Sequence, residues 1–298
     1  MFLWAFGFPA THVLIGERMI DPITMGMLQF SFAAVLFFII GACLKIKGLF
    51  SLTKSELWRF AALGFVGMTM METCLLYAQK KLSTINAAMM EAEAPFIIGL
   101  IGLFVMRKVS PAQFFGLIAG FVGCLAVTGV LTPRGLMFDK LSFGDFLILA
   151  SSFCWAVYTI LGTSVIHEVG AYKFTAWTML FGALFLFAVF LITYGPETII
   201  PPPSDIFAWG LIAYYVLFAT VLAFFSWNQA QHYISVVLLS MSEYLTPFLS
   251  GLIAWAWLNE KMTVWQIVGA VVIGAAIFID PEVTEIISSR RKIKKETL

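Results

Sequence analysis

Two glutamates, Glu91 and Glu243, each stand four residues before a proline, Pro95 and Pro247, inside apolar runs long enough to cross a bilayer. In a helix this spacing puts the carboxylate one turn before the proline and on nearly the same face. A carboxyl group at that depth can carry a proton or pair with an ammonium. It is costly unless it faces protein or water, so it reads as functional by default. The two runs are copies of one another. A shift of 152 residues lays Ser83 on Ser235, Glu91 on Glu243 and Pro95 on Pro247.

Further polar residues in apolar surroundings widen the candidate set to Glu72, Glu93, Asn86, His12, Trp227 and Gln231, with Gln229 beside them. Helical geometry divides the run from Ser83 into two polar faces. Ser83, Ala87, Glu91 and Pro95 share one; Asn86, Met90 and Glu93 share the other. Glu91 has an internal copy and Glu93 has none, so Glu91 belongs to shared architecture and Glu93 to whatever is particular to this chain. The competing reading for each carboxyl is a protonated core group hydrogen-bonded to a neighbouring helix. For His12, on one helical face with Trp4 and Phe8, it is a hydrogen-bonded core imidazole. Phe30, Phe32, Trp177, Tyr214, Tyr215 and Trp227 are available for an aromatic cavity wall. Neither the cysteines nor the methionines around Met68 to Met71 have metal-ligand spacing with His, so no metal and no cofactor is expected.

The elements that must position these groups follow from composition. Of 298 residues 61% are hydrophobic and 12% charged, with mean hydropathy +0.94, which excludes an ordinary soluble domain. A net charge of +1 without a basic, aromatic-interleaved stripe gives no ground for a nucleic-acid partner. Ten apolar segments are expected at roughly 2 to 16, 23 to 44, 57 to 79, 83 to 106, 111 to 131, 144 to 166, 172 to 194, 206 to 229, 234 to 258 and 263 to 280. Thr53 with Glu56, Ser110 with Pro111, and Ser142 with Asp145 read as helix starts. The first segment is short, and Trp4-Ala5 aligns with Trp155-Ala156 deep in the sixth, so a longer first helix beginning upstream of Met1 is expected.

Lysine and arginine set the orientation. With the N-terminus inside, Lys45, Lys47, Lys54, Arg59, Arg107, Lys108, Lys173 and the five basic residues of the tail are cytoplasmic. Arg18, Lys80, Lys81, Arg134, Lys140 and Lys261 face the other side. Both termini are therefore expected in the cytoplasm. The expected fold is an all-α integral membrane protein of ten transmembrane helices, arranged as two inverted-topology five-helix repeats over residues 1–131 and 144–280, with a basic cytoplasmic tail at 281–298. The inversion follows because five crossings is an odd number. In such an architecture the substrate site lies near the midplane at the repeat interface, and Pro95 and Pro247 mark helix breaks whose freed carbonyls face the cavity. Gly116, Gly120, Gly123, Ala270 and Gly274 form small-residue faces for packing within a monomer, with a homodimer as the alternative.

Four marks carry a resemblance. They are Trp-Ala near the start of each half, the Pro95-Phe96 and Pro247-Phe248 steps, the closing Asn259-Glu260-Lys261, and Gly269 after it. With these the chain resembles the ten-helix, EamA-like branch of the drug/metabolite transporter superfamily over nearly its whole length. The resemblance implies export or exchange of small metabolites, often amino acids, through a central cavity in the cell membrane. It departs from the family pattern where Ala94 and Thr246 directly precede the prolines, and where Arg107 stands in the first copy for the Glu of the closing motif. The leading expectation is a secondary transporter of small organic metabolites working by alternating access, with proton coupling through the glutamates. The alternatives are an uncoupled facilitator and an intramembrane enzyme using buried Glu and His. No GxxxxGK[ST] supports a primary pump, and no HExxH supports a metallohydrolase.

Overall fold

The computed structural model describes residues 1–16, 20–105, 111–127, 131–132, 135–136, 142–195 and 205–261, with positions 264, 267, 268 and 271. Its helices are α1 (Phe2–Thr11), continued by a π-helical turn His12–Gly16; α2 (Pro22–Cys43); and α3 (Lys54–Gly64), which runs through a π-helical stretch Phe65–Met70 into α4 (Met71–Gln79). Next come α5 (Thr84–Met90), a 3₁₀ turn Glu91–Glu93 and α6 (Ala94–Val105), followed by α7 (Pro111–Val127). Leu131–Thr132 (β1) pairs antiparallel with Gly135–Leu136 (β2). The second part holds α8 (Phe143–Val169), α9 (Ala171–Tyr194), and α10 (Ile206–Tyr214), which continues through a π-helical stretch Tyr215–Leu222 into α11 (Ala223–Ala230). It ends with α12 (Val236–Met241), a 3₁₀ turn Ser242–Tyr244 and α13 (Leu245–Leu258). Among the described residues six continuous helices are long and apolar enough to cross a membrane: Pro22–Cys43, Lys54–Gln79, Phe143–Val169, Ala171–Tyr194, Ile206–Ala230 and Val236–Leu258. Ser110, Pro201 to Pro203, nearly all of 263–280 and the tail 281–298 lie outside the described residues.

The starts follow local chemistry. Thr53 and Glu56 close a reciprocal capping box, Thr53 N donating to Glu56 Oε2 at 2.7 Å and Glu56 N to Thr53 Oγ1 at 3.2 Å. Asp145 accepts from Ser142 N at 2.5 Å. Asp21 caps α2 through Ile23 N, with Pro22 at the first helical position. Large apolar side chains such as Trp58, Phe153, Leu161, Phe187 and Ile192 cover the outside, as lipid contact requires.

Close crossings hold the interior. A Cβ added at Gly64 would stand 2.5 Å from the Thr178 carbonyl oxygen, and one at Gly182 would collide with Met68. Only glycine lets α3 and α9 approach this far. Gly67 is pressed in the same way against Tyr158 of α8, and Gly120 against the Tyr244 ring. The Gly120 contact is one use, within the chain, of the small face expected on α7. Across α4 and α8, Ser151 Oγ donates to the Met71 carbonyl at 3.0 Å and sets the register of the two helices.

Candidate functional site

A cavity of about 690 Å³, counted out to its open mouth, lies between α1, α2, α4, α5, α8, the Tyr215–Leu222 stretch and α13. Three carboxylates reach it, from separate helices: Glu72, Glu91 and Glu243. Glu72 is the second residue of α4, just past a π-helical stretch, and is 2% exposed. Tyr215 donates its hydroxyl to Glu72 Oε1 at 3.3 Å, and Gln29 is a second side-chain partner. Glu243 Oε1 accepts from Trp155 Nε1 at 2.6 Å, whereas its Oε2 is buried without a hydrogen-bond partner. Glu91 lies between the other two electrostatically, interacting with Glu72 and with Glu243.

The backbone at these positions departs from the α-helix where the side chains need room. The stretch Tyr215–Leu222 brings both Tyr215 and Ala219 to the cavity, and two side chains take up its displaced carbonyls. Trp4 Nε1 donates to Ala219 O at 2.8 Å, and Thr220 Oγ1 donates to Tyr215 O at 2.8 Å. The proline steps differ from expectation. Pro95 cannot donate to the Glu91 carbonyl, but that oxygen is not left without a donor. The chain tightens into a 3₁₀ turn, and Ala94 N donates to Glu91 O instead. The second copy tightens likewise over Ser242–Tyr244 before Pro247. Pro247 and Thr246 line the cavity; at the first copy Ala94 does so and Pro95 does not.

The two ends of the cavity differ. Toward the end carrying Lys80, Thr11 Oγ1 donates to Gln79 Oε1, and Gln79 is itself part of the lining. Toward the end carrying Lys54, Trp4, Trp155, Phe224 and Trp227 pack ring on ring, with centroids 5.2–5.7 Å apart. Trp227 therefore stands behind Trp4 and Trp155, outside the lining.

Four other sequence candidates also fall outside this cavity. Gln231 belongs to a network in which Thr163 Oγ1 donates to Gln231 Oε1 at 2.7 Å and Gln231 Nε2 to Asn228 Oδ1 at 3.2 Å. Asn228 Nδ2 donates in turn to Tyr158 OH and Thr175 Oγ1, both at 2.9 Å. His12 lines a separate recess with Lys80, Lys81, Ser83 and Glu260. Glu93 is buried on the second face of its turn, within electrostatic reach of Asp145. Asn86 shares that face and is half-buried. Sequence reasoning passed over Gln29, Gln79 and the indole of Trp155 as polar partners. An isolated glutamine in each of two apolar helices was the available signal.

Among the described residues the lining holds no residue pair suited to nucleophilic attack. The sequence profile of the EamA-like transporter family matches twice, over residues 1–129 and 142–279. The "Uncharacterized transporter YyaM" of Bacillus subtilis (strain 168) is 27% identical over 91% of this chain and 80% of its own length. An "Uncharacterized transporter" of Archaeoglobus fulgidus is 24% identical over 94% and 93%. "Protein PecM" of Dickeya dadantii (strain 3937) is 25% identical over 80% and 78%. One crystal structure superposes with a TM-score of 0.71 at 17% identity, covering 96% of this chain and 97% of that one, which shows the shared fold. The protein is not an enzyme; it is a multi-pass membrane transporter and belongs to the EamA-like transporter family.

Proposed function

We propose that the protein is a proton-coupled secondary transporter that exports or exchanges small organic metabolites across the cell membrane by alternating access. Its architecture in this reading is ten crossings in two inverted five-helix repeats, with both termini in the cytoplasm. The carrying observation is the convergence of Glu72, Glu91 and Glu243, from three separate helices, on one cavity flanked by a hydrogen-bonded pair toward one end and by edge-to-face indoles toward the other. The internal copy supports it as well. Glu91 and Glu243 each sit at a 3₁₀ turn before a proline, at corresponding places in two helices that meet at the cavity. Alternating access then amounts to exchanging which end is closed while the carboxylates trade protons for substrate.

The test is uptake of labelled metabolites into proteoliposomes with and without an imposed pH gradient, for the wild type and for Glu91→Gln and Glu243→Gln. Accumulation above the external concentration only with the gradient, lost in both variants, is the expected result. Simple equilibration unaffected by the gradient would make the protein a facilitator and the carboxylates structural.

A further inference from the structure

The charge balance of the cavity narrows what it can hold. All 18 lysines and arginines lie at or beyond the ends of the apolar segments. Arg59 and Lys173, near the end carrying Lys54, are already paired, with Glu168 at 2.5 Å and Glu56 at 2.7 Å. Of the three histidines, His12 lines the other recess and His167 packs on His232 with ring centroids 4.8 Å apart. Among the described residues no cationic side chain therefore lines the cavity, whose lining includes three carboxylates; the one cation within reach, the α-ammonium of Met1, faces Glu243 and leaves Glu72 and Glu91 without one.

A second, independent observation points to the missing partner. Two acceptor atoms on lining residues are buried and unpaired: Gln29 Oε1, on a side chain 1% exposed, and Glu243 Oε2, on one 9% exposed. A buried acceptor of this kind is satisfied by a donor, water when the cavity is empty and an N–H group of the occupant when it is filled. The same lining includes the aromatic residues Trp4, Phe8, Trp155, Tyr215 and Phe224. Such walls suit an apolar body and favour a cation placed over a ring.

We infer that the substrate is an organic amine: a monovalent cation with at least two N–H donors on an apolar body, and with no carboxylate. The ammonium sits among Glu72, Glu91 and Glu243 and donates to Gln29 Oε1 and Glu243 Oε2, while the body lies against the indoles. An amino acid fits worse than the amine of the same skeleton, because its carboxylate would enter a site that already holds three and would find no cationic side chain among the described lining residues. This narrows the proposed transport reading to one chemical class.

The probes are phenylethylamine, N-acetylphenylethylamine and phenylalanine, which share one apolar body. Binding is read on the purified protein by quenching of intrinsic tryptophan fluorescence, and flux in proteoliposomes against protein-free vesicles. Phenylethylamine is expected to bind about 100-fold more tightly than either of the others, and Gln29→Leu to weaken it about tenfold without moving the thermal midpoint. Equal or tighter binding of phenylalanine, or no measurable binding of the amine, overturns the inference. Tight amine binding without flux would leave the substrate class standing and remove the transport reading instead. Phenylalanine flux without amine flux would do the opposite.

Discussion

Two polar clusters lie inside the helical bundle, and they are built on different rules. In the cluster around Asn228 nearly every donor has found an acceptor. Both Asn228 Nδ2 bonds and its Oδ1 are used, Gln231 is engaged through both ends of its amide, and Tyr158 is buried with its hydroxyl accepting. Around the cavity the partners fall short. Glu243 keeps one oxygen unpaired, Gln29 keeps its carbonyl unpaired, and Glu72 is held only by a 3.3 Å bond from Tyr215 and by Gln29. A satisfied network fixes helices against one another; an unsatisfied one leaves capacity for something that comes and goes. Buried polarity alone therefore does not mark the site. Unpaired acceptors on a cavity wall do, since Glu93 Oε2 and Trp227 Nε1 are also without partners but lie outside the lining.

The sharpest way to break this contrast is to make one substitution in each cluster. Glu243→Gln is expected to remove gradient-driven uptake almost completely while leaving the thermal midpoint in detergent nearly unchanged, because Gln can still accept from Trp155. Asn228→Leu should do the reverse. Removing two interhelical hydrogen bonds and one from Gln231 at the end of the same helix, at about 0.6 kcal/mol each, costs about 2 kcal/mol, seen as a lowered midpoint with uptake per folded molecule preserved. If both variants lose uptake at unchanged stability, the distinction between the clusters is wrong.

Steric fit supplies a second test. Gly64→Ala places a methyl group against the Thr178 carbonyl oxygen, a backbone atom that cannot rotate away. The α3–α9 crossing must then widen, at a cost of about 1–3 kcal/mol. Gly210→Ala, where an added Cβ meets nothing within 4 Å, is the control. It should be neutral or slightly stabilising. Both are read from the same unfolding curves, and a Gly64→Ala midpoint matching the control would mean that this crossing is looser than the geometry says.

Much of this arrangement could be read from residues alone, and the part that could not has a common cause. Glu91, Glu243 and their prolines stood out because a repeat makes two weak signals coincide. The helix starts at Thr53 and Ser142 stood out because capping is local. Which of the remaining polar residues share the cavity depends on how each helix is rotated. In α2 or α9 apolar residues occur on every face, so periodicity gives no direction. Hence Gln29 and Gln79 were passed over while Trp227, Gln231 and His12 were included. The proline steps were misjudged for a different reason. Loss of one donor need not free a carbonyl when the turn can tighten to offer the preceding amide, as Ala94 does for Glu91.

Glu260 gives the smallest expected effect and the narrowest test of the contrast. It is a carboxylate beside a recess lined by lysines, like the cavity acids in type, yet both its oxygens are taken. Oε1 accepts from Thr84 N and Oε2 from Ile85 N, each at 3.1 Å, so that it caps α5 from beyond the end of α13. Asn259, in the left-handed region at φ 54°, turns the chain so that this reach is possible. If satisfaction rather than charge separates structure from function, Glu260→Ala should behave like Asn228→Leu and not like Glu243→Gln. Loss of a capping carboxylate costs about 1 kcal/mol, and Glu260→Gln, which retains one acceptor, should cost less. Gradient-driven uptake should persist in both. Lost uptake at an unchanged midpoint would place Glu260 with the cavity carboxylates and show that two bonds to backbone amides do not disqualify a carboxylate from transport.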